Sequence, residues 1–118
     1  MFIASLMSDA IYNTAMLENI LAQREAIEQL CRDHHAIRLS ITGSAAFGDF
    51  DPERSDLDFL VQYQPGYTHT AWDDYWGLKE GLEALFHRPV DLIDRDALKN
   101  PYVMNSMFSC EKELYAAA

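Results

Sequence analysis

The chain has 118 residues, with 19 acidic against 9 basic side chains and a net charge of −10. A surface of that sign repels phosphate backbones, so direct binding of free nucleic acid is not expected, whereas a basic protein or divalent cations suit it. Hydrophobic residues make up 49% of the chain, enough for a core without disulfide or metal staples. No apolar run approaches the length needed to span a membrane.

The length fits one domain, residues 1–118. So small a domain keeps much of its surface in water, so an acceptor larger than a nucleotide calls for a partner surface. Cys31 and Cys110 sit in no CxxC and have no ligand spacing with a histidine, the pattern of reduced thiols in a cytoplasmic protein. The opening MFIASLM is apolar but short, and no basic residue precedes Arg24, so no secretory signal is expected.

A first helix is predicted over about 14–33, with Leu17, Ile20, Leu21, Ile27 and Leu30 on one stripe. Ile37, Leu39 and Ile41 then alternate with Arg38 and Ser40, a strand pattern ending at Thr42-Gly43-Ser44. A short helix is expected over 44–50, followed by the turn Asp51-Pro52-Glu53-Arg54-Ser55. Leu57–Tyr63 reads as a second strand, closed by Gln64-Pro65-Gly66. A long helix spans Ala71–Phe86, with Trp72, Tyr75, Trp76, Leu82, Leu85 and Phe86 as its apolar face. Gly77 and Gly81 weaken that helix by roughly 1 kcal/mol each relative to alanine and point to close packing. After the Arg88-Pro89 break, Val90–Asp94 is a third strand. Asn100-Pro101 starts a last helix over about 100–115, with Val103, Met107, Cys110 and Leu114 on its inner stripe. The order predicts an α/β (α+β) domain, a small sheet with flanking helices and a core over about 37–95.

Chemistry concentrates in Gly43-Ser44-Ala45-Ala46-Phe47-Gly48-Asp49 and Ser55-Asp56-Leu57-Asp58. Gly43 lets the backbone approach a ligand. Ser44 adds a hydroxyl and an N–H, and a helix opening there favours an anion such as phosphate. Asp56 and Asp58 are two apart, so they share a face about 7 Å apart along the strand. Two carboxylates there repel each other unless a cation holds them, and Mg2+ takes carboxylate and phosphate oxygens together. Asp91 is the best third carboxylate, because it is charged within an apolar strand; Asp94, on the opposite face, is the alternative. Asp49, Asp51 and Glu53 resemble the start of a calcium loop, but Arg54 and Leu60 stand where that loop needs Gly and Glu. No GxxxxGK[ST] occurs; His34, His35, His69 and His87 lack ligand spacing and read as surface or capping residues; and Ser44 has no obvious histidine partner.

Gly43-Ser44, Gly48-Asp49 and Ser55-Asp56-Leu57-Asp58 resemble the signature of the DNA polymerase β-like nucleotidyltransferase superfamily. The short length and the ending from Asn100-Pro101-Tyr102 to Leu114-Tyr115 resemble its minimal members, the MNT antitoxins of HEPN/MNT toxin–antitoxin pairs. The resemblance covers the chain from about Ile37 onward. It implies a small mixed sheet and an Mg2+-dependent enzyme that moves AMP from ATP to a tyrosine hydroxyl of a cognate HEPN-domain toxin. It implies that Gly43 and Ser44 hold the triphosphate and that Asp56, Asp58 and Asp91 bind metal, with Asp91 sharing a metal or taking the acceptor proton. Phe47 stands where many minimal members carry arginine. Two other readings stay open: an antitoxin that only occludes its toxin, and a small-molecule nucleotidyltransferase.

Overall fold

The computed structural model describes residues 16–47, 56–66 and 70–117, without the side chains of Ser44 and Phe47. Helical residues 16–22 lead through Gln23 into α1 (Arg24–Asp33). The chain continues through β1 (Ala36–Thr42), α2 (Ser44–Phe47), β2 (Leu57–Tyr63), α3 (Ala71–Phe86), β3 (Val90–Asp94), a 3-10 turn (Arg95–Ala97), α4 (Pro101–Cys110) and β4 (Lys112–Ala116). The strands form one sheet in the order β3-β2-β1-β4. β1 is antiparallel to both β2 and β4, while β2 and β3 are parallel. Parallel neighbours need a long crossover, and α3 supplies it.

Side chains alternate across the strands, and one face is apolar. Leu39, Ile41, Leu57, Phe59, Val61, Val90, Leu92 and Leu114 bury themselves there against Ile27 and Cys31 of α1 and Leu78, Leu82 and Phe86 of α3. The rings of Phe59 and Phe86 stack at 6.2 Å. Both glycines of α3 meet α1 side chains: a Cβ at Gly77 would strike the His34 ring, and one at Gly81 would strike a Leu30 methyl. The expected close packing is therefore present. The opposite sheet face carries Arg38, Ser40, Thr42, Asp58 and Leu60, and α4 is tied to it where Thr42 Oγ1 donates to Met107 O at 2.8 Å.

Two expectations need revision. The last helix ends at Cys110 rather than near 115, and residues 112–116 are strand β4. The side of β1 away from β2 would otherwise expose unpaired N–H and C=O groups, and pairing there outweighs the helical tendency of this segment. Leu114 is buried against the sheet instead of on a helix stripe, and Arg38 holds Glu113 at 3.0 Å. Second, the buried stripe of α3 is Asp74, Leu78, Leu82 and Phe86, a spacing of four. Trp72 and Trp76 lie about 200° round the helix from it, two residues on. Trp72 is consequently 74% exposed, its ring 5.6 Å from that of Trp76. The short helix is seen over 44–47; residues 48–55, with the remainder of the predicted helix and its turn, lie outside the described residues, as does His69.

Other local signals hold. Asn100 caps α4, accepting from Tyr102 N at 2.9 Å, with Pro101 at the first helical position. His87 caps α3 in the left-handed region, its N–H donating to Glu83 O. His35 is also left-handed (φ 59°), and its Nδ1 lies 3.0 Å from the buried Asp74 carboxylate, which Thr70 Oγ1 also reaches at 2.7 Å. Both cysteines are free thiols. Among the described residues no helix is long and apolar enough to cross a membrane.

Candidate active site

β1 runs out at Thr42, and Gly43 turns the chain at φ 69°, a region that costs a side-chain-bearing residue about 1–2 kcal/mol. Ala46 N then donates to Gly43 O at 3.1 Å as α2 begins. Ser44 opens α2, as expected of the residue after the bend. Antiparallel pairing places Thr42 opposite Asp58, and parallel pairing places Asp58 beside Asp91. Thr42, Asp58 and Asp91 thus form a row across three adjacent strands, at the end of the sheet where Gly43 bends. Asp56 stands just before β2, two residues ahead of Asp58 and exposed.

The electrostatics mark the three aspartates as neighbours. The Asp58 carboxyl is pushed up from 3.8 to about 6, first by burial, then by the charge of Asp91, then by that of Asp56. All three influences act in the same direction, so Asp58 is a half-buried carboxylate facing like charges. Gly43 backs onto it: a Cβ there would overlap Asp58 Oδ2 and lie 3.1 Å from Cγ. Asp94 is committed elsewhere, accepting from Asp96 N at 2.9 Å to cap the 3-10 turn. Thr42 escaped sequence reasoning as a site residue. It is fully buried, and its hydroxyl holds Met107 O and touches Cys110 Sγ at 3.4 Å, fixing α4 beside the carboxylate row.

Among the described residues no three Asp, Glu, His or Cys side chains are gathered closely enough to hold an ion as they stand. Carboxylates of one sign keep apart until a cation lies between them. The donor set is nevertheless all hard oxygen, which suits Mg2+ and excludes a thiolate or imidazole site. A cation bound there would relieve the repulsion that Asp91 and Asp56 exert on Asp58.

The site is thus a mixed four-stranded sheet with a glycine bend at the end of one strand, abutting a carboxylate on the next. The chain belongs to the nucleotidyltransferase domain family, whose model matches residues 23–112. Two Methanocaldococcus jannaschii proteins provisionally named protein adenylyltransferases are each 30% identical to it, over 81 and 88 residues. These alignments cover 68% and 69% of this chain, and 79% and 87% of those proteins. A solved structure provisionally called a minimal nucleotidyltransferase is 35% identical, with a TM-score of 0.67 over 81% of this chain and 93% of that one. A toxin–antitoxin complex solved with AMP-PNP matches at TM-score 0.61 and 22% identity, over 80% of this chain and 73% of that chain. The complex of a tri-AMPylated Shewanella oneidensis HEPN toxin with its MNT antitoxin matches at 0.55 and 17% identity, over 83% and 73%. At those identities the last two likenesses speak for the fold alone.

Proposed function

We propose that this nucleotidyltransferase is an antitoxin that transfers AMP from ATP to a tyrosine hydroxyl of a cognate HEPN-domain toxin in the cytoplasm. The observation that carries the proposal is Asp58, flanked by Asp56 and Asp91 and raised to about 6 by burial and by both charges. A site that gathers negative charge at a glycine bend is suited to a cation-bearing anion such as Mg-ATP. The 30% identity to two proteins provisionally named protein adenylyltransferases supports AMP as the transferred group, and the fold is one that antitoxins of such complexes also use.

Asp56, Asp58 and Asp91 would hold Mg2+. When bound, Mg2+ neutralises phosphate charge and assists departure of pyrophosphate. Gly43 and the Ser44 N–H offer backbone to the triphosphate where no Cβ intervenes. The acceptor hydroxyl attacks the α-phosphate, its oxygen forms the new P–O bond, and the bond to pyrophosphate breaks. Asp91, exposed at the rim of the row, takes the hydroxyl proton. No covalent bond to the protein is needed; holding the reactants together is most of the work.

The test is direct. Incubation with Mg-ATP and a HEPN-domain toxin encoded in the same operon should add the mass of one AMP residue to that toxin. An unmodified but otherwise active HEPN partner would overturn the proposal. Phe47, where many members carry arginine, favours one rival, neutralisation by occlusion. Asp56→Asn with Asp58→Asn separates the two, because occlusion survives that pair of changes and transfer does not.

A further inference from the structure

Asp91 sits near the start of β3, an edge strand of the sheet. On its inner side β3 is held by the ladder to β2, where Leu57 N donates to Pro89 O at 3.2 Å. In a parallel ladder the bonding residues alternate, so the N–H and C=O of Val90 turn toward the open edge. Unpaired, they would leave the strand free to shift or fray there.

They are paired, by two side chains of α3. Lys79 Nζ donates to Val90 O, and Val90 N donates to Glu83 Oε2 at 3.1 Å. Lys79 and Glu83 are one helical turn apart and pair with each other at 3.7 Å. Both are partly buried, with side-chain exposures of 21% and 34%. One ion pair thus satisfies both outward groups of the residue that directly precedes Asp91. Charge-assisted bonds of this kind are the stronger sort.

We propose that Lys79 and Glu83 are positioning residues for nucleotidyl transfer, clamping Val90 so that Asp91 stays in register with Asp58. Neither touches substrate; they act through the backbone that carries Asp91. The inference rests on reading Asp91 as the third metal-binding carboxylate. The two members divide the labour: Lys79 fixes the carbonyl and orients Glu83, and Glu83 fixes the amide.

The experiment compares the full chain with Lys79→Met, Glu83→Ala, Glu83→Gln, Asp91→Asn, and each clamp variant combined with Asp91→Asn. Mn2+ affinity is read by electron paramagnetic resonance with a non-hydrolysable ATP analogue. The kcat and KM for ATP are measured with the partner protein, at a temperature where circular dichroism shows every variant folded. Lys79→Met and Glu83→Ala should each lower Mn2+ affinity and kcat by about tenfold or more. The KM for ATP should stay within about twofold. Glu83→Gln, which keeps an acceptor for Val90 N, should recover most of the loss. In the Asp91→Asn background the clamp variants should have little further effect.

If Lys79→Met and Glu83→Ala lower only the melting temperature, the clamp is structural and the inference is wrong. It is equally wrong if their losses add fully to that of Asp91→Asn. Normal Mn2+ affinity and kcat in Asp91→Asn alone would instead overturn the role given to Asp91, a separate failure.

Discussion

Gly43 abuts the carboxylate of Asp58: a Cβ at position 43 would overlap Oδ2 and stand 3.1 Å from Cγ. The bend and the central aspartate therefore share one space, and the positive φ of Gly43 is a second bar to any side chain there. Gly43→Ala should cost about 1–2 kcal/mol from backbone strain alone. It should also displace Asp58, so kcat falls further than stability does. Urea unfolding beside transfer kinetics checks both; a variant with wild-type activity would break the link between bend and carboxylate.

Asp58→Asn should move activity and stability in opposite directions. Removing a carboxylate that gathers several kcal/mol of metal-borne charge stabilisation lowers transfer by about a thousandfold. The metal-free protein should melt at a higher temperature, because a half-buried charge facing Asp91 and Asp56 has been neutralised. Differential scanning calorimetry in EDTA, with radiolabelled ATP assays in parallel, tests the pair of signs.

The raised Asp58 carboxyl sets a pH window. Its folded value of about 6 exceeds the ordinary 3.8, chiefly through burial, then through Asp91 and Asp56. Protonated Asp58 therefore favours the fold. That contribution is complete below the ordinary value and is lost as pH rises through about 6. Melting temperatures of the metal-free chain should fall across this window, and Asp58→Asn should flatten the slope. Transfer needs the ionised form to hold cation, so kcat/KM should climb with pH through the same range. A wild-type melting profile identical to that of Asp58→Asn would refute the assignment.

Thr42→Val keeps the shape but removes the hydroxyl bound to Met107 O at 2.8 Å. Met107 O keeps the weaker Cys110 Sγ donor at 3.6 Å, so the loss should cost about 1 kcal/mol. The loss should appear as faster amide exchange in α4, which Thr42 ties to the sheet. Uniform destabilisation with no local change would contradict this account.

The two thiols should differ sharply in reactivity. Cys31 is fully buried, and burial pushes its thiol up to about 12, so almost no thiolate forms near neutrality. Cys110, at the end of α4, is only partly covered. One equivalent of a thiol reagent should react with the native protein at pH 8 and two after denaturation. Mass mapping should place the first on Cys110.

Much of this molecule is written locally in its sequence. β2, α3 and β3 lie where the apolar alternation, the helical run and the Arg88-Pro89 break put them, because those signals are short-range and agree. The Gly43 bend and the Asp56/Asp58 pair were legible for the same reason. The tertiary structure decided what depends on distant partners. Residues 112–116 became a strand because β1 had an open side to pair. Trp72 reached the surface because α3 turned its Leu78/Leu82/Phe86 stripe to the core. Asp91 met Asp58 because the α3 crossover made β2 and β3 parallel in that register. Register and docking are set by long-range contacts, and only the folded chain closes them.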